Sequence, residues 1–430
     1  MSHEHDLPNR ASGGPVSRQG GGRPAPLGRA TLALALLPLA AACDGLLEVE
    51  LPTRVGPEEL EDPGQAQVIQ NSLIADFECA YVNHVIGTGM VAGELRHSST
   101  RRAAFLWSQR RVTAEEPESE ICTGGTSVGI FRPLQTARFQ AEDFLERLEE
   151  WGPEEVPDHD KHVATASAYA GYSLAILGEG YCEATVDESP VKQPSEVLEL
   201  AEAHFDRALA VAGESGYDDV ENLAHVGRAR VRLNLGRDEG ALADARAVSE
   251  GFEYHATYSS ADPYRRNKLY DMNVRNGYVS VSEDYVGLEW EGEPDPRVSP
   301  DLSDHAGHDG SDLYHQARYT SPGDPVRLAS WDEARLIEAE IEGGETAVDI
   351  LAAFHQEAGL PSYEGGTEEE VQEHVLLTRE RELFLEGHRL NDMLRHGLQF
   401  NEGTHHDGVS YGETTCLPLP QQERDGNPNI

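Results

Sequence analysis

The sequence predicts a mainly α protein in which paired amphipathic helices form a scaffold and a loop-rich half is mounted on it. Three observations carry that expectation. Apolar residues recur at helical spacing through residues 130–250, and helical period returns from Trp331 to Arg395. Between them, about 254–327, the composition shifts to Tyr, Asp, Gly, Pro, Ser and His with little helical period. The 430 residues can bury a large core, and few linkers interrupt them.

The N-terminus reads as an export signal. Arg23 and Arg29 precede the apolar run Thr31–Ala42, which is shorter than the about 20 apolar residues a membrane span needs and ends in small residues before Cys43. Leu39-Ala-Ala-Ala-Cys43 resembles a bacterial lipobox, in which the cysteine becomes the acylated first residue of the mature chain. Residues 1–42 are therefore expected to be a signal peptide and 43–56 a lipid anchor and extended tether, with an ordinary secreted protein as the alternative. Several acyl chains on Cys43 would hold the body, residues 57–430, to a bilayer, each buried CH₂ contributing ~0.8 kcal/mol.

Charge narrows the partners. Lys and Arg number 34 against 77 Asp and Glu, a formal net charge of −43. Residues 1–42 hold four Arg against Glu4 and Asp6, so their removal takes the charge to −45. Phosphate recognition needs a basic face, which argues against nucleic acid, and an anionic lipid surface would repel this body. The acidity reads as solubility.

With Cys43 set aside for lipid, Cys79, Cys122, Cys182 and Cys416 remain, an even number that implies two disulfides in an exported chain. Sequence leaves all three pairings open. Cys79 with Cys122 and Cys182 with Cys416 is preferred, because the first joins neighbouring early segments and the second fastens the C-terminal tail to the helical core. No CxxC or Cys/His spacing of a zinc site occurs.

Helices are expected over about 57–84, 130–151, 159–178, 195–212, 220–235 and 238–250, the last two an antiparallel pair turned through Gly236. Ala201, Phe205 and Ala208 follow the four-then-three spacing of the second helix of a tetratricopeptide repeat. Gly236 with Ala241, Ala245 and Val248 reproduces the turn and the same spacing, so small residues let these helices approach closely. Further helices are expected at 331–340 and 346–357, and a short strand at 277–282.

From about Val371 to His396, Leu376, Leu377, Leu383, Phe384, Leu390 and Leu394 predict one amphipathic helix. Gly387 weakens a helix by ~1 kcal/mol relative to Ala, which implies a close neighbour or a local bend. Asp392 and Arg395 are placed to pair at i,i+3. The remaining charges are expected to build ion pairs and solvated faces.

The stretch Thr378-Arg-Glu-Arg-Glu-Leu-Phe-Leu-Glu-Gly-His-Arg-Leu-Asn-Asp-Met-Leu-Arg395 and the tail beginning Cys416-Leu-Pro-Leu-Pro resemble the closing signature of SusD/RagB-like proteins. These are lipid-anchored nutrient-binding partners of TonB-dependent outer-membrane transporters. Asp295-Pro-Arg-Val298 and the Ala358-Gly-Leu-Pro361 that closes a helix pair resemble the same family. The resemblance implies a SusD-like α/α superhelix, with tetratricopeptide-like helices supporting a looped, ligand-binding half. It further implies an outer-membrane position facing the exterior, a SusC-like TonB-dependent transporter over which the chain sits as a lid, and a glycan or peptide cargo.

Neutral sugars are held by flat aromatic faces, with amides, carboxylates or Arg reaching the hydroxyls. Trp107, near Arg101, Arg102 and Arg110, and Trp290, near Tyr278 and Tyr285, fall where the family's ligand loops lie, so these four aromatics are candidate ligand contacts. Tyr264, Tyr270 and Tyr314 are secondary candidates, while Trp151 and Trp331 bound helices and read as structural. Asp301, Asp304, His305, His308, Asp309 and Asp312, like His405-His406-Asp407-Gly408, fit neither an EF-hand nor a His-Glu-x-x-His helix. Both read as solvated loops, and no metal or cofactor is expected. A Gly-x-Ser-x-Gly elbow, a phosphate-cradling loop and a dinucleotide fingerprint are missing, so no catalytic residue is nominated. The expected function is capture and delivery of nutrients without chemistry. A surface glycoside hydrolase using paired carboxylates and a helical-repeat interaction scaffold are the alternatives.

Overall fold

A central helix buried on every side organises the chain. The computed structural model describes residues 59–100, 102–115 and 128–430. Its first long helix, α1 (Ala66–Ala92), is buried without interruption from Ala80 to Val91, the mark of a core helix. α1 starts later and ends later than its sequence suggests. Asp62 accepts from the Gly64 amide and holds Pro63–Gln65 in a 3₁₀ turn, and the helix runs through buried Gly87 and Gly89 to Gly93, whose φ of +85° ends it. Strand β1 (Leu95–His97) and helix α2 (Arg102–Ser108) follow.

The repeat scaffold is α3 (Phe131–Trp151), α4 (His159–Gly180), α5 (Pro194–Ser215), α6 (Asp218–Asn234) and α7 (Asp238–Ala247), each packed on the next. Glycine governs how close they come. A Cβ on Gly171 of α4 would sit 2.9 Å from the Phe205 ring, and one on Gly227 of α6 would sit 2.4 Å from it. Phe205 is thus wedged between two helix backbones, with the Tyr172 ring edge-on at 5.0 Å. Ala201, Ala208, Ala241 and Ala245 are buried, as the repeat spacing predicts.

Short ladders replace long strands in the loop-rich half: β2 (Glu253–Ala256), β3 (Val279–Val281), β4 (Glu289–Trp290), β5 (Glu293–Pro294), β6 (Asp301–Leu302), β7 (Tyr314–His315) and β8 (Val326–Ser330). Among the described residues they form four antiparallel pairs, β1 with β3, β2 with β8, β4 with β5 and β6 with β7. Helical turn α8 (Lys268–Tyr270) runs into a π turn at Asp271–Arg275. Buried Asn273 in that turn donates to the Val279 and Tyr314 carbonyls and accepts from the Gln316 amide, so one side chain does the work of a missing strand.

Helices α9 (Trp331–Glu342), α10 (Gly344–Glu357), α11 (Glu368–Glu382), α12 (Arg389–His396) and α13 (Gln421–Gly426) complete the chain. Ser330 caps α9 by accepting from the Glu333 amide at 3.1 Å. The single helix expected over 371–396 is broken in two: Leu385 at φ +57° and Gly387 at φ +86° turn the backbone between α11 and α12. A Cβ on Gly387 would lie 2.8 Å from the His84 ring of α1, so this glycine has both the close neighbour and the bend. The charges of this segment are not a solvated face. Arg379 pairs with Asp392 at 2.9 Å and Arg381 with Asp295 at 2.5 Å, while Arg327 reaches Glu386 at 3.0 Å, and most of these groups are buried. Asp392 and Arg395 do pair, at 3.1 Å.

Cys182 and Cys416 form a disulfide with Cα atoms 5.2 Å apart, and beside it the Leu417 amide donates to the Gly180 carbonyl while the Cys182 amide donates to the Leu417 carbonyl. Cys79 is also disulfide-bonded. Its preferred partner Cys122 lies outside the described residues, as do Arg101, the expected signal peptide and tether, and Cys43. Residues 57–430 cluster as one compact unit. No helix among the described residues is long and apolar enough to cross a membrane.

Candidate functional site

The end of α1 and the stretch 401–411 line an open cleft of about 240 Å³. Its walls come from four places: Met90–Gly93 with Leu95 and Arg96, the end of α2 at Ser108 and Arg110, the segment Ser282–Asp284 after β3, and the turn-rich stretch from Asn401 to Tyr411. Cationic, anionic, amide and aromatic groups all face one space.

Each is held before any ligand arrives. Arg96 donates to the Ser311 hydroxyl at 3.0 Å and the Asp312 carbonyl at 2.5 Å, with Glu283 at 3.4 Å. Arg110 ends α2 in the left-handed region at φ +54° and donates to the Gly412 carbonyl at 2.7 Å. Its guanidinium lies over the Phe400 and Tyr411 rings, 5.1 and 5.8 Å from their centroids. Burial pulls the Arg110 pKa down. Gly412 permits this contact, since a Cβ there would fall 2.1 Å from the Arg110 carbonyl oxygen. Asn401 donates to Asp284 at 3.4 Å, and Glu283 and Asp284 remain exposed. The cleft thus offers preset donors, acceptors and one ring edge.

The same tail forms a tight turn. His405 accepts from the Gly408 amide and donates its own to the Val409 carbonyl, Asp407 caps the turn by accepting from the Val409 amide, and Gly408 sits at φ +86°. This turn brings His405 and His406 against His97 of β1: ring centroids are 4.9 Å apart for His97 and His405, 4.7 Å for His97 and His406, and 4.1 Å for His405 and His406. The stretch expected to be a solvated loop is half wrong, because His405 is buried and only His406 faces the cleft. Asp309, from the other acidic loop, meets His406 at 3.1 Å.

The four predicted aromatic contacts do not line this cleft. Trp107 is 5% exposed and packs on Gly87, where a Cβ would fall 2.7 Å from its ring, so it belongs to the core. Tyr285 is also buried, donating to Glu380 at 2.7 Å with its ring 5.0 Å from Phe384. Trp290 is half-buried among His355, His374 and Tyr363, and Tyr278 is half-buried beside His308. Tyr264 is the outlier at 71% exposed, at the lip of a second hollow that Glu78, Arg265 and Lys268 also line. Arg110 fell in a segment the sequence singled out, whereas Arg96, Asn401 and Tyr411 carried no local signal.

A helical scaffold presenting a preformed polar cleft on its loops defines the class. No protein-family model matches the chain, and no curated protein matches it. Solved structures do. A SusD-like carbohydrate binding protein from Bacteroides vulgatus superposes with a TM-score of 0.63 at 13% identity, over 86% of this chain and 97% of its own. A SusD homolog from Bacteroides thetaiotaomicron gives 0.63 at 14%, over 88% and 98%. A SusD superfamily protein from Parabacteroides distasonis gives 0.63 at 12%, over 87% and 98%. The fold is therefore the SusD-like one, as the closing signature implies.

Proposed function

We propose that the chain captures oligosaccharide in the polar cleft without cleaving it. It is then held at the outer surface by lipid on Cys43 and passes its cargo to a SusC-like TonB-dependent transporter, for which it is the lid. The observation that carries this reading is the convergence of Arg96, Arg110, Glu283, Asp284, Asn401 and Tyr411 on one cleft of a SusD-like fold. Charge-assisted hydrogen bonds to hydroxyls and an aromatic surface are what sugar binding requires. A glycosidase reading gains nothing from the carboxyls that burial pushes up to about 7. Glu94 accepts from the Leu385 amide and Glu179 from the Asn234 amide group, both inside the protein.

The test is calorimetric titration of the full chain with mixed oligosaccharides, alongside assay for new reducing ends. Binding without cleavage is expected, weakened about tenfold or more by Asp284→Ala with Asn401→Ala, since each lost hydrogen bond to a charged group is worth roughly 1.5–3 kcal/mol. New reducing ends would transfer the chain to the hydrolases. Peptide binding at the same cleft would change the cargo. Isolation from its own membrane without a barrel would remove the lid role.

A further inference from the structure

Three imidazoles and two carboxylates from distant parts of the chain meet in the wall of the cleft. One ring nitrogen from each of His97, His405 and His406 lies within 4.8 Å of the others. Asp407 is pinched between two of them: its Oδ2 is 3.1 Å from His97 Nε2 and its Oδ1 2.9 Å from His405 Nδ1. Asp309 Oδ2 is 3.1 Å from His406 Nε2 and 3.9 Å from His97 Nδ1.

Two features of this cluster point to a ligand. Both nitrogens of His97 face acceptors, Nδ1 the Ser99 carbonyl at 3.2 Å and Nε2 the Asp407 carboxylate. A neutral ring has one N–H to give, so both contacts are met only if the ring is protonated or a cation takes the place of the second proton. Meanwhile His405, whose side chain is 1% exposed, has Nδ1 buried and misaligned for a hydrogen bond despite its contact with Asp407. Its Nε2 is engaged by the Ser108 hydroxyl at 2.9 Å, which fixes the ring with Nδ1 turned into the cluster.

We infer that His97, His405 and His406, assisted by Asp407 and Asp309, bind one divalent first-row transition-metal ion of the zinc class. Imidazole with carboxylate is the donor set such ions favour, and calcium or magnesium would demand more oxygen. Tetrahedral nitrogens at 2.0–2.1 Å from zinc stand roughly 3.3 Å apart, so ring nitrogens that lie within 4.8 Å of one another must draw in on binding. Gln109 and Ser108 supply the outer hydrogen bonds that orient metal ligands. An ion here would clamp β1, the loop bearing Asp309 and the 404–411 turn, three pieces around one cleft.

The site is independent of the cargo reading, and its test needs no sugar. The full chain, stripped with a chelator and dialysed, is titrated with Zn²⁺ against a chromophoric competitor at neutral pH, then with Co²⁺ to read its visible bands. One tight equivalent is expected, with a Co²⁺ spectrum showing nitrogen ligation. Exposed His406 tolerates replacement, so His406→Ala should lower affinity about 100-fold and His406→Gln likewise, with Asp407→Asn costing about 10–100-fold, at unchanged circular dichroism. Zinc should raise the melting temperature of the parent chain and not that of His406→Ala. No tight equivalent in the parent chain, or equal affinity and spectrum in the His406 variants, would overturn the assignment.

Discussion

Glu94 Oε1 accepts a 3.0 Å hydrogen bond from the amide of Leu385, a contact between residues 291 apart that fixes the turn separating α11 from α12. Leu385 is left-handed there, and the Glu94 carboxyl is what satisfies its N–H inside the core. Burial pushes Glu94 up to about 7, opposed by the Leu385 hydrogen bond and by Arg389. The folded value exceeds the unfolded one, near 4.5, so the native state holds the proton more tightly. The stability this gives is full below about pH 4.5 and is lost as pH rises through about 7. Glu94→Gln, which keeps the acceptor and removes the charge, should therefore raise the melting temperature at pH 8 and leave it nearly unchanged at pH 4.5. Thermal melts at both pH values check this, and a variant less stable at pH 8 would refute it.

Gly227 should not accept a methyl group. Helix propensity favours Gly227→Ala by about 1 kcal/mol, but overpacking costs about 1–3 kcal/mol, and Phe205 has Gly171 behind it and nowhere to retreat. The expected result is a net loss in urea denaturation, partly recovered when Phe205→Leu is added.

Arg230 and Glu333 form a buried bidentate pair at 2.6 and 2.7 Å, joining α6 to the start of α9. Glu333→Gln strands the guanidinium and should cost about 3–5 kcal/mol by equilibrium unfolding. Replacing both partners with apolar residues should cost much less, which a double-mutant comparison would show.

Cys182→Ser with Cys416→Ser should lower stability by about 2–5 kcal/mol. The tail need not leave, because Leu417 and Leu419 are buried and Leu417 still bonds to Gly180 and Cys182. Limited proteolysis should then cut the tail faster than in the parent chain while the repeat helices stay intact.

How much of this was legible depends on how local the cause is. The helices at 131–151, 159–180 and 194–215 are set by their own apolar spacing and by Gly and Pro at their ends, so sequence places them within a few residues. The break after Glu382 is set by His84 on α1 and by Glu94 just beyond that helix, and only Gly387 hinted at it. Aromatic type does not say which way a ring faces, and that is why Trp107 and Tyr285 read as ligand contacts and lie in the core. His97 and His405 are 308 positions apart, beyond any spacing rule.

The cleft draws on residues 90–110, 282–284 and 401–411, segments far apart in the chain. A polypeptide made from its N-terminus can assemble all five repeat helices while that surface still lacks one wall. The cleft is therefore closed on that side only once the chain is made as far as Gly412, and a product truncated before residue 401 lacks the wall while retaining most of its helical core.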